Sequence, residues 1–95
     1  GFTNRLRRKK WIGFEINISP DPQVICRLIY EQNVPLKEMY KVFNMGIGFV
    51  IIAKKEEADK IIEEVSKDVE AYKIGKVISE DKIKIKTFEN TNIEY

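Results

Sequence analysis

The sequence predicts an α+β domain: a layered α/β sandwich in which helices pack on a mostly antiparallel, mixed sheet of about four strands, partly ferredoxin-like. Three observations predict this fold class. Residues 11–18 and 82–88 alternate apolar and polar side chains, which is typical of strands with one buried face. Residues 56–66 repeat apolar side chains at helical spacing. Predicted helices separate the strands until the end of the chain, where two strands follow one another, and this order favours a mixed sheet.

The first third of the chain is predicted to form a short helix, a strand and a second helix. Thr3 or Asn4 caps the short helix, and the strand covers residues 11–18. A Ser-Pro-Asp-Pro stretch ends this strand. We expect Asp21 to cap the next helix, with Pro22 in its first position, where a missing N–H group costs nothing.

The middle of the chain is predicted to form a short helix and a buried strand. The helix covers residues 36–43, and we expect its Tyr40, like Cys26 on the preceding helix, to pack in the core. The side chains of residues 49–53 are all apolar and do not alternate with polar ones. This pattern predicts a central strand that is covered on both faces.

The last third of the chain is predicted to form a helix and a hairpin. The helix covers residues 56–66, and the hairpin joins residues 71–78 to residues 82–88 through a turn. Residues 90–95 are predicted to be a loose tail.

Size and composition indicate one domain and exclude several classes of protein. The 95 residues support a single core, and 43% hydrophobic with 34% charged residues is typical of a folded domain. The longest apolar run lies near residues 47–53 and is far shorter than the roughly 20 residues of a membrane-spanning helix. The single cysteine cannot form a disulfide within the chain. We therefore expect a cytoplasmic protein that does not enter a membrane.

The residue types also limit the chemistry of the chain. The sequence has no histidine and one cysteine, which excludes a histidine-based triad, a histidine metal site and a thiolate zinc cluster. No group of residues in the sequence has metal-ligand spacing. We therefore assign no catalytic residue and no metal ligand to this chain.

Positive charge is concentrated at the start of the chain. Five of the 17 Lys and Arg residues lie in the first ten positions, where there is no acid, and acidic residues outnumber basic ones in the remainder. The cluster over residues 5–10 has three interpretations: a phosphate-neutralising group, a nucleic-acid patch, or a solvated face, of which the solvated face is the most common. A nucleic-acid partner is not favoured, because such proteins carry basic residues across a folded surface.

Several motifs resemble one enzyme family. Residues 38–48 read EMYKVFNMGIG, residues 57–60 read EADK before a helix, residues 71–77 read AYKIGKV before the last predicted strand, and residues 1–4 read GFTN. This order resembles the C-terminal domain of phosphoribosylformylglycinamidine cyclo-ligases, also called aminoimidazole ribonucleotide synthetases. The resemblance covers roughly residues 1–86, and EMYKVFNMGIG is its most specific part.

The resemblance implies an activity and partners. Enzymes of this family use ATP to phosphorylate the amide oxygen of formylglycinamidine ribonucleotide, and an amine nitrogen then closes the imidazole ring of a purine precursor. Members have two domains, and ATP is held mainly by the N-terminal one. The resemblance therefore implies that residues 1–95 are one C-terminal domain without its ATP-binding partner. ATP and Mg²⁺ belong to the complete enzyme, which is expected to be a homodimer, and the domain alone is expected to hold neither and to be inactive.

The resemblance also points to two groups of ligand-binding residues. The first group lies at the start of the chain, where backbone N–H groups favour an anion, and it comprises Gly1, Thr3, Asn4 and Arg5. The second group lies in the bend after the helix over residues 36–43, and it comprises Asn44, Gly46 and Gly48. We expect the two groups to share one hollow that takes the substrate and its phosphate. The structural alternatives are an ordinary capped helix start and an ordinary helix stop.

Two functions from other classes stay open at this point. One is a stand-alone nucleic-acid-binding module that uses the basic cluster, with an affinity that depends steeply on salt. The other is a regulatory or scaffold module of similar fold that binds a partner chain without chemistry.

Overall fold

A computed structural model describes residues 1–6 and 12–95, except for the side chains of Asn4 and Arg5. The predictions for Arg7, Arg8, Lys9, Lys10 and Trp11 lie outside the described residues. The helices are α1 (Phe2–Leu6), α2 (Val24–Tyr30), α3 (Leu36–Val42) and α4 (Ala58–Val65), which follows a 3₁₀ turn over Lys55–Glu57. The strands are β1 (Gly13–Ile16), β2 (Gly75–Ile78), β3 (Ile83–Lys86) and β4 (Asn92–Glu94).

The four strands form one mixed sheet in the order β2-β1-β3-β4. Strand β1 pairs antiparallel with β2 and parallel with β3, and β3 pairs antiparallel with β4. Two of the three ladders are antiparallel, so the predicted fold class, an α+β sandwich with a mostly antiparallel mixed sheet, is confirmed.

The connection from β2 to β3 crosses the start of β1, and the predicted hairpin is therefore wrong. The Phe14 N–H donates to the Lys82 carbonyl oxygen at 2.9 Å. Gly13 makes this crossing possible, because a Cβ atom there would overlap the carbonyl oxygens of Glu80 and Lys82. The crossing places β2 and β3 on opposite sides of β1.

The end of the chain is an edge strand, so the predicted loose tail is also wrong. A turn after β3 is held by a 2.7 Å hydrogen bond between the Thr87 and Thr91 hydroxyls and by Asn90 in the left-handed region, at φ 62°. Ile93 then pairs with Ile85 across the ladder. The Tyr95 hydroxyl donates to the Lys37 carbonyl oxygen, which ties the end of the chain to α3.

The two faces of the sheet differ in chemistry. The inner face carries Phe14, Ile16, Ile83 and Ile85, each at most 5% exposed. On the other face the registers align charged side chains of alternating sign across all four strands: Lys76, Glu15, Lys84 and Glu94. Opposite charges in neighbouring positions stabilise a solvated sheet face.

Helices α1, α2 and α3 cover the inner face of the sheet. Phe2, Met39 and Tyr40 are completely buried between these helices and the strands, and Cys26 is 5% exposed. The predictions that Tyr40 and Cys26 pack in the core are confirmed. The Tyr40 hydroxyl accepts a 3.0 Å hydrogen bond from the Phe88 N–H, and burial raises the pKa of this phenol.

The predicted caps of the first two helices are wrong. Helix α1 begins at Phe2, so Thr3 and Asn4 lie inside it, and Thr3 is 3% exposed. Helix α2 begins two residues after Pro22, and Asp21 forms a 3.1 Å ion pair with Arg27 instead of capping the helix. The ion pair draws the carboxylate away from the N–H groups at the helix start.

Residues 49–53 do not form the predicted central strand. Strand β1 already pairs on both sides, as does β3, so no central position remains in the sheet. Within the described chain, residues 49–53 make no backbone hydrogen bond. Phe49 is 95% exposed, and Ile51 and Ile52 are 60% and 61% exposed. Only Val50 packs against the core.

Helix α4 agrees with the predicted helix over residues 56–66, but it packs little against the rest of the described chain. None of its side chains is buried, and its apolar residues Ile61, Ile62 and Val65 are half-buried. Within the described ranges, 1–6 and 12–95, no helix has the length and apolar character needed to cross a membrane.

Candidate ligand-binding hollow

A hollow of about 450 Å³ lies between the start of α1, the start of α2 and the bend after α3. Its described lining comprises Gly1, Gln23, Ile25, Cys26, Val42, Phe43, Asn44 and Met45. The hollow therefore contains one member of each predicted ligand-binding group, Gly1 and Asn44.

A backbone hydrogen bond holds the start of α1 against the end of α3. The Phe2 N–H donates to the Phe43 carbonyl oxygen at 3.2 Å. The buried Phe2 ring anchors the same junction, because it is completely enclosed. The first residue of the chain and the bend after α3 consequently lie side by side.

The bend after α3 is a tight turn with two successive residues in the left-handed region. Met45 has φ 53° and Gly46 has φ 90°. Met45 accepts this conformation with its side chain buried at 1% exposure, whereas at Gly46 a Cβ atom would approach the Asp21 carbonyl oxygen to 2.9 Å. Glycine is thus required at position 46 both by its φ angle and by the close approach of the chain before α2.

The remaining predicted site residues are placed differently. Thr3 is buried inside the domain and is not among the residues that line the hollow. The prediction that position 48 requires glycine is wrong. A Cβ atom there would meet nothing within 4 Å, and the φ angle of Gly48 is not positive. The side chains of Asn4 and Arg5 are not described.

Sequence reasoning missed the contribution of α2 to the hollow. Gln23 stands in the N-cap position of α2 and makes no side-chain hydrogen bond to the helix. Ile25 forms an exposed apolar wall, and Cys26 lies buried beside it. The only local signal is that a glutamine directly follows the Pro-Asp-Pro break. Its place in the same hollow as Asn44 depends on the packing of the chain before α2 against the turn after α3, which no local pattern reveals.

The described lining of the hollow carries no charged side chain. Within the described part of the chain, no group of three histidine, cysteine or acidic residues could hold a metal ion. The uncharged side chains of the lining do not fit Mg²⁺, which prefers carboxylate and phosphate oxygens. They do not fit a triphosphate either, because no cationic side chain of the described lining faces the hollow.

The sequence matches one family model over most of its length. The model, described as AIR synthase related protein, C-terminal domain, matches residues 3–87. The chain belongs to this family. The resemblance based on EMYKVFNMGIG is thereby confirmed, and the nucleic-acid-binding and scaffold alternatives are not favoured.

Several relatives of this AIR synthase related domain are named phosphoribosylformylglycinamidine cyclo-ligase. The chain is 52% identical to the Methanobrevibacter smithii protein over 95 residues, which are 100% of the chain and 28% of that protein. It is 43% identical to the Pyrococcus horikoshii protein over 89 residues, 93% of the chain and 26% of that protein. The Thermococcus kodakarensis protein is 39% identical over 83 residues, 87% of the chain and 25% of that protein.

The AIR synthase related domain thus spans little more than a quarter of the length of these curated relatives. No solved structure matches the chain significantly.

Proposed function

We propose that this chain is the C-terminal domain of a phosphoribosylformylglycinamidine cyclo-ligase, which closes the ring of formylglycinamidine ribonucleotide in purine biosynthesis. The observation that carries the proposal is the match of the whole chain, at 52% identity, to a protein of that name. The hollow adds independent support, because it brings Gly1 and Asn44, predicted on separate motifs, to one place.

We place the substrate in the hollow, with its phosphate at the start of α1. Gly1, Thr3, Asn4 and Arg5 form the phosphate side of this proposal, and Thr3 contributes its backbone because its side chain is buried. Asn44, Gly46 and Gly48 form the opposite side, where the tight turn holds the Asn44 amide at the hollow.

The proposed role of the domain is to position the substrate and not to react with it. Positioning lowers a barrier by fixing the reacting atoms, and phosphoryl transfer depends on alignment and charge stabilisation more than on a covalent catalyst. In this proposal ATP and Mg²⁺ are held by an N-terminal domain of the same enzyme.

We extend the proposal to the assembly and its place in the cell. The complete enzyme is a cytoplasmic homodimer, and its ATP-binding domain covers part of the apolar surface that the described chain exposes. Exposed side chains such as Phe49 and Val24, at 95% and 73%, support a large contact with further protein.

A chimera tests the proposed function. The portion of the Methanobrevibacter smithii cyclo-ligase that aligns with this chain, 28% of that protein, is replaced by the chain. We expect the chimera to convert formylglycinamidine ribonucleotide to aminoimidazole ribonucleotide and to release one ADP per turnover, measured by a coupled ADP assay and by chromatography of the product.

The chain alone, with the same substrates, is the control and is expected to release no ADP. A folded chimera that binds ATP but forms no aminoimidazole ribonucleotide contradicts the proposed substrate. ADP release by the chain alone contradicts the proposed division of labour between two domains.

A further inference from the structure

Two carboxamide side chains face the hollow without a partner among the described residues. Gln23 occupies the N-cap of α2, yet its side chain makes no capping hydrogen bond. Asn44 follows α3 and lines the hollow, and its side chain likewise makes no hydrogen bond to another described residue. Both residues are exposed, so their amide groups are accessible to a ligand.

The backbone packs the two chain segments that carry these residues against each other. The turn at Met45 and Gly46 sits against the Asp21 carbonyl oxygen, two residues before Gln23. Met45 is 1% exposed and keeps its left-handed φ angle of 53°, which costs free energy for a residue with a side chain. Because core packing maintains this unfavourable geometry, Asn44 has a defined position beside the start of α2.

The walls of the hollow favour an uncharged ligand group. Ile25 and Val42 contribute apolar surface at 59% and 51% exposure, and Cys26 and Met45 lie buried below them. A charged group placed beside Gln23 and Asn44 would lose water without gaining an opposite charge from the side chains around it, which is unfavourable. A neutral planar group can instead exchange hydrogen bonds with the two carboxamides, since each carboxamide both donates and accepts.

We propose that Gln23 and Asn44 together bind the neutral amide portion of the ligand, and that its phosphate lies outside their reach. The inference rests on the proposed function, because it divides the substrate of that same hollow into an amide part and a phosphate part. It adds Gln23 as a residue that determines specificity for the amide.

Nuclear magnetic resonance tests the inference directly on the ¹⁵N-labelled chain. For this experiment the N-terminus of the chain is acetylated, so that the amino group of Gly1 adds no charge to the hollow. N-formylglycinamide, a neutral compound with two amides, is one probe, and inorganic phosphate is the other. We expect N-formylglycinamide to shift the side-chain NH₂ signals of Gln23 and Asn44, and phosphate to leave both unchanged.

Matched variants assign these signals and control for general effects. Gln23→Ala and Asn44→Ala each remove one NH₂ signal and weaken binding of N-formylglycinamide. Gln32→Ala changes an exposed glutamine just beyond the other end of α2, outside the described lining of the hollow, and leaves binding unchanged. The inference is overturned if N-formylglycinamide leaves the two NH₂ signals unchanged, or if phosphate shifts them.

The chimera supplies a second measurement. Gln23→Ala is expected to raise KM for formylglycinamidine ribonucleotide about three- to tenfold, the loss of one hydrogen bond to a neutral group, with kcat nearly unchanged. Gln32→Ala should leave both constants as they are. An unchanged KM in the active Gln23→Ala chimera overturns the inference and leaves the proposed function intact. A folded chimera that binds ATP but forms no aminoimidazole ribonucleotide overturns the proposed function, and the two NH₂ signals then decide the inference.

Discussion

At the scale of single residues, Tyr40 shows how one side chain joins distant parts of the chain. Its ring is completely buried on α3, while its hydroxyl accepts a 3.0 Å hydrogen bond from the Phe88 N–H beyond β3. A buried polar group is stable only when its hydrogen bonds are made, so this contact fixes how α3 lies on the sheet. Burial raises the pKa of Tyr40, and the phenol stays protonated at neutral pH.

Removal of this hydroxyl should destabilise the domain. We expect Tyr40→Phe to lower the free energy of unfolding by about 1–2 kcal/mol, because the Phe88 N–H loses its acceptor in a partly buried position. Urea unfolding followed by circular dichroism measures the change. Tyr72→Phe is the matched control: Tyr72 is 52% exposed, and its variant should differ from the parent by less than about 0.5 kcal/mol. Equal stability of Tyr40→Phe and the parent would show that this hydrogen bond contributes nothing.

At the scale of secondary-structure elements, the turn after α3 also forms part of the wall of the hollow. Its left-handed residues, Met45 and Gly46, reverse the chain against the segment that precedes α2. The turn therefore determines both where α3 ends and where the Asn44 side chain lies.

Replacement of the two glycines near this turn should have unequal effects. Gly46→Ala is expected to cost about 1–2 kcal/mol, since alanine opposes φ 90° and its Cβ atom would approach the Asp21 carbonyl oxygen to 2.9 Å. Gly48→Ala meets open space and should be neutral or slightly stabilising, within about 1 kcal/mol. Thermal and urea unfolding of both variants give the comparison. Equal losses of stability in the two variants would mean that position 46 has no special backbone requirement.

At the scale of the whole molecule, the described chain has a two-layer core and an apolar surface outside it. Helices α1 to α3 and the inner face of the sheet bury the largest side chains. In contrast, Phe49, Ile51 and Ile52 are mostly exposed, and α4 has no buried side chain. Monomeric domains rarely expose such a concentration of apolar side chains, so this surface distinguishes the chain from a typical stand-alone domain.

The exposed apolar surface should be measurable in the isolated chain. We expect Phe49→Ser to reduce the fluorescence of the dye 1-anilinonaphthalene-8-sulfonate and to change the free energy of unfolding by less than about 0.5 kcal/mol. Ile85→Ser, at a site 1% exposed, should instead cost more than about 3 kcal/mol or prevent folding. A loss of several kcal/mol in Phe49→Ser would show that Phe49 is buried in solution.

Local patterns in the sequence determined much of the secondary structure. The alternation over residues 11–18 and 82–88 lies on β1 and β3, and the helical spacing over residues 56–66 lies on α4, because these periods depend only on neighbouring residues. The EMYKVFNMGIG motif identified the family, and its Asn44 lies at the hollow.

Tertiary structure alone decided which strands pair and what the hollow contains. The apolar run over residues 49–53 is typical of a buried strand, but β2 and β3 occupy both sides of β1, and strand pairing depends on residues far apart in sequence. The same holds for β4, which is stabilised by its ladder to β3 and by the Tyr95 contact to α3. Gln23 and Asn44 line the same hollow because the turn at Gly46 packs against the Asp21 carbonyl oxygen, a contact between residues 25 positions apart that no local period encodes.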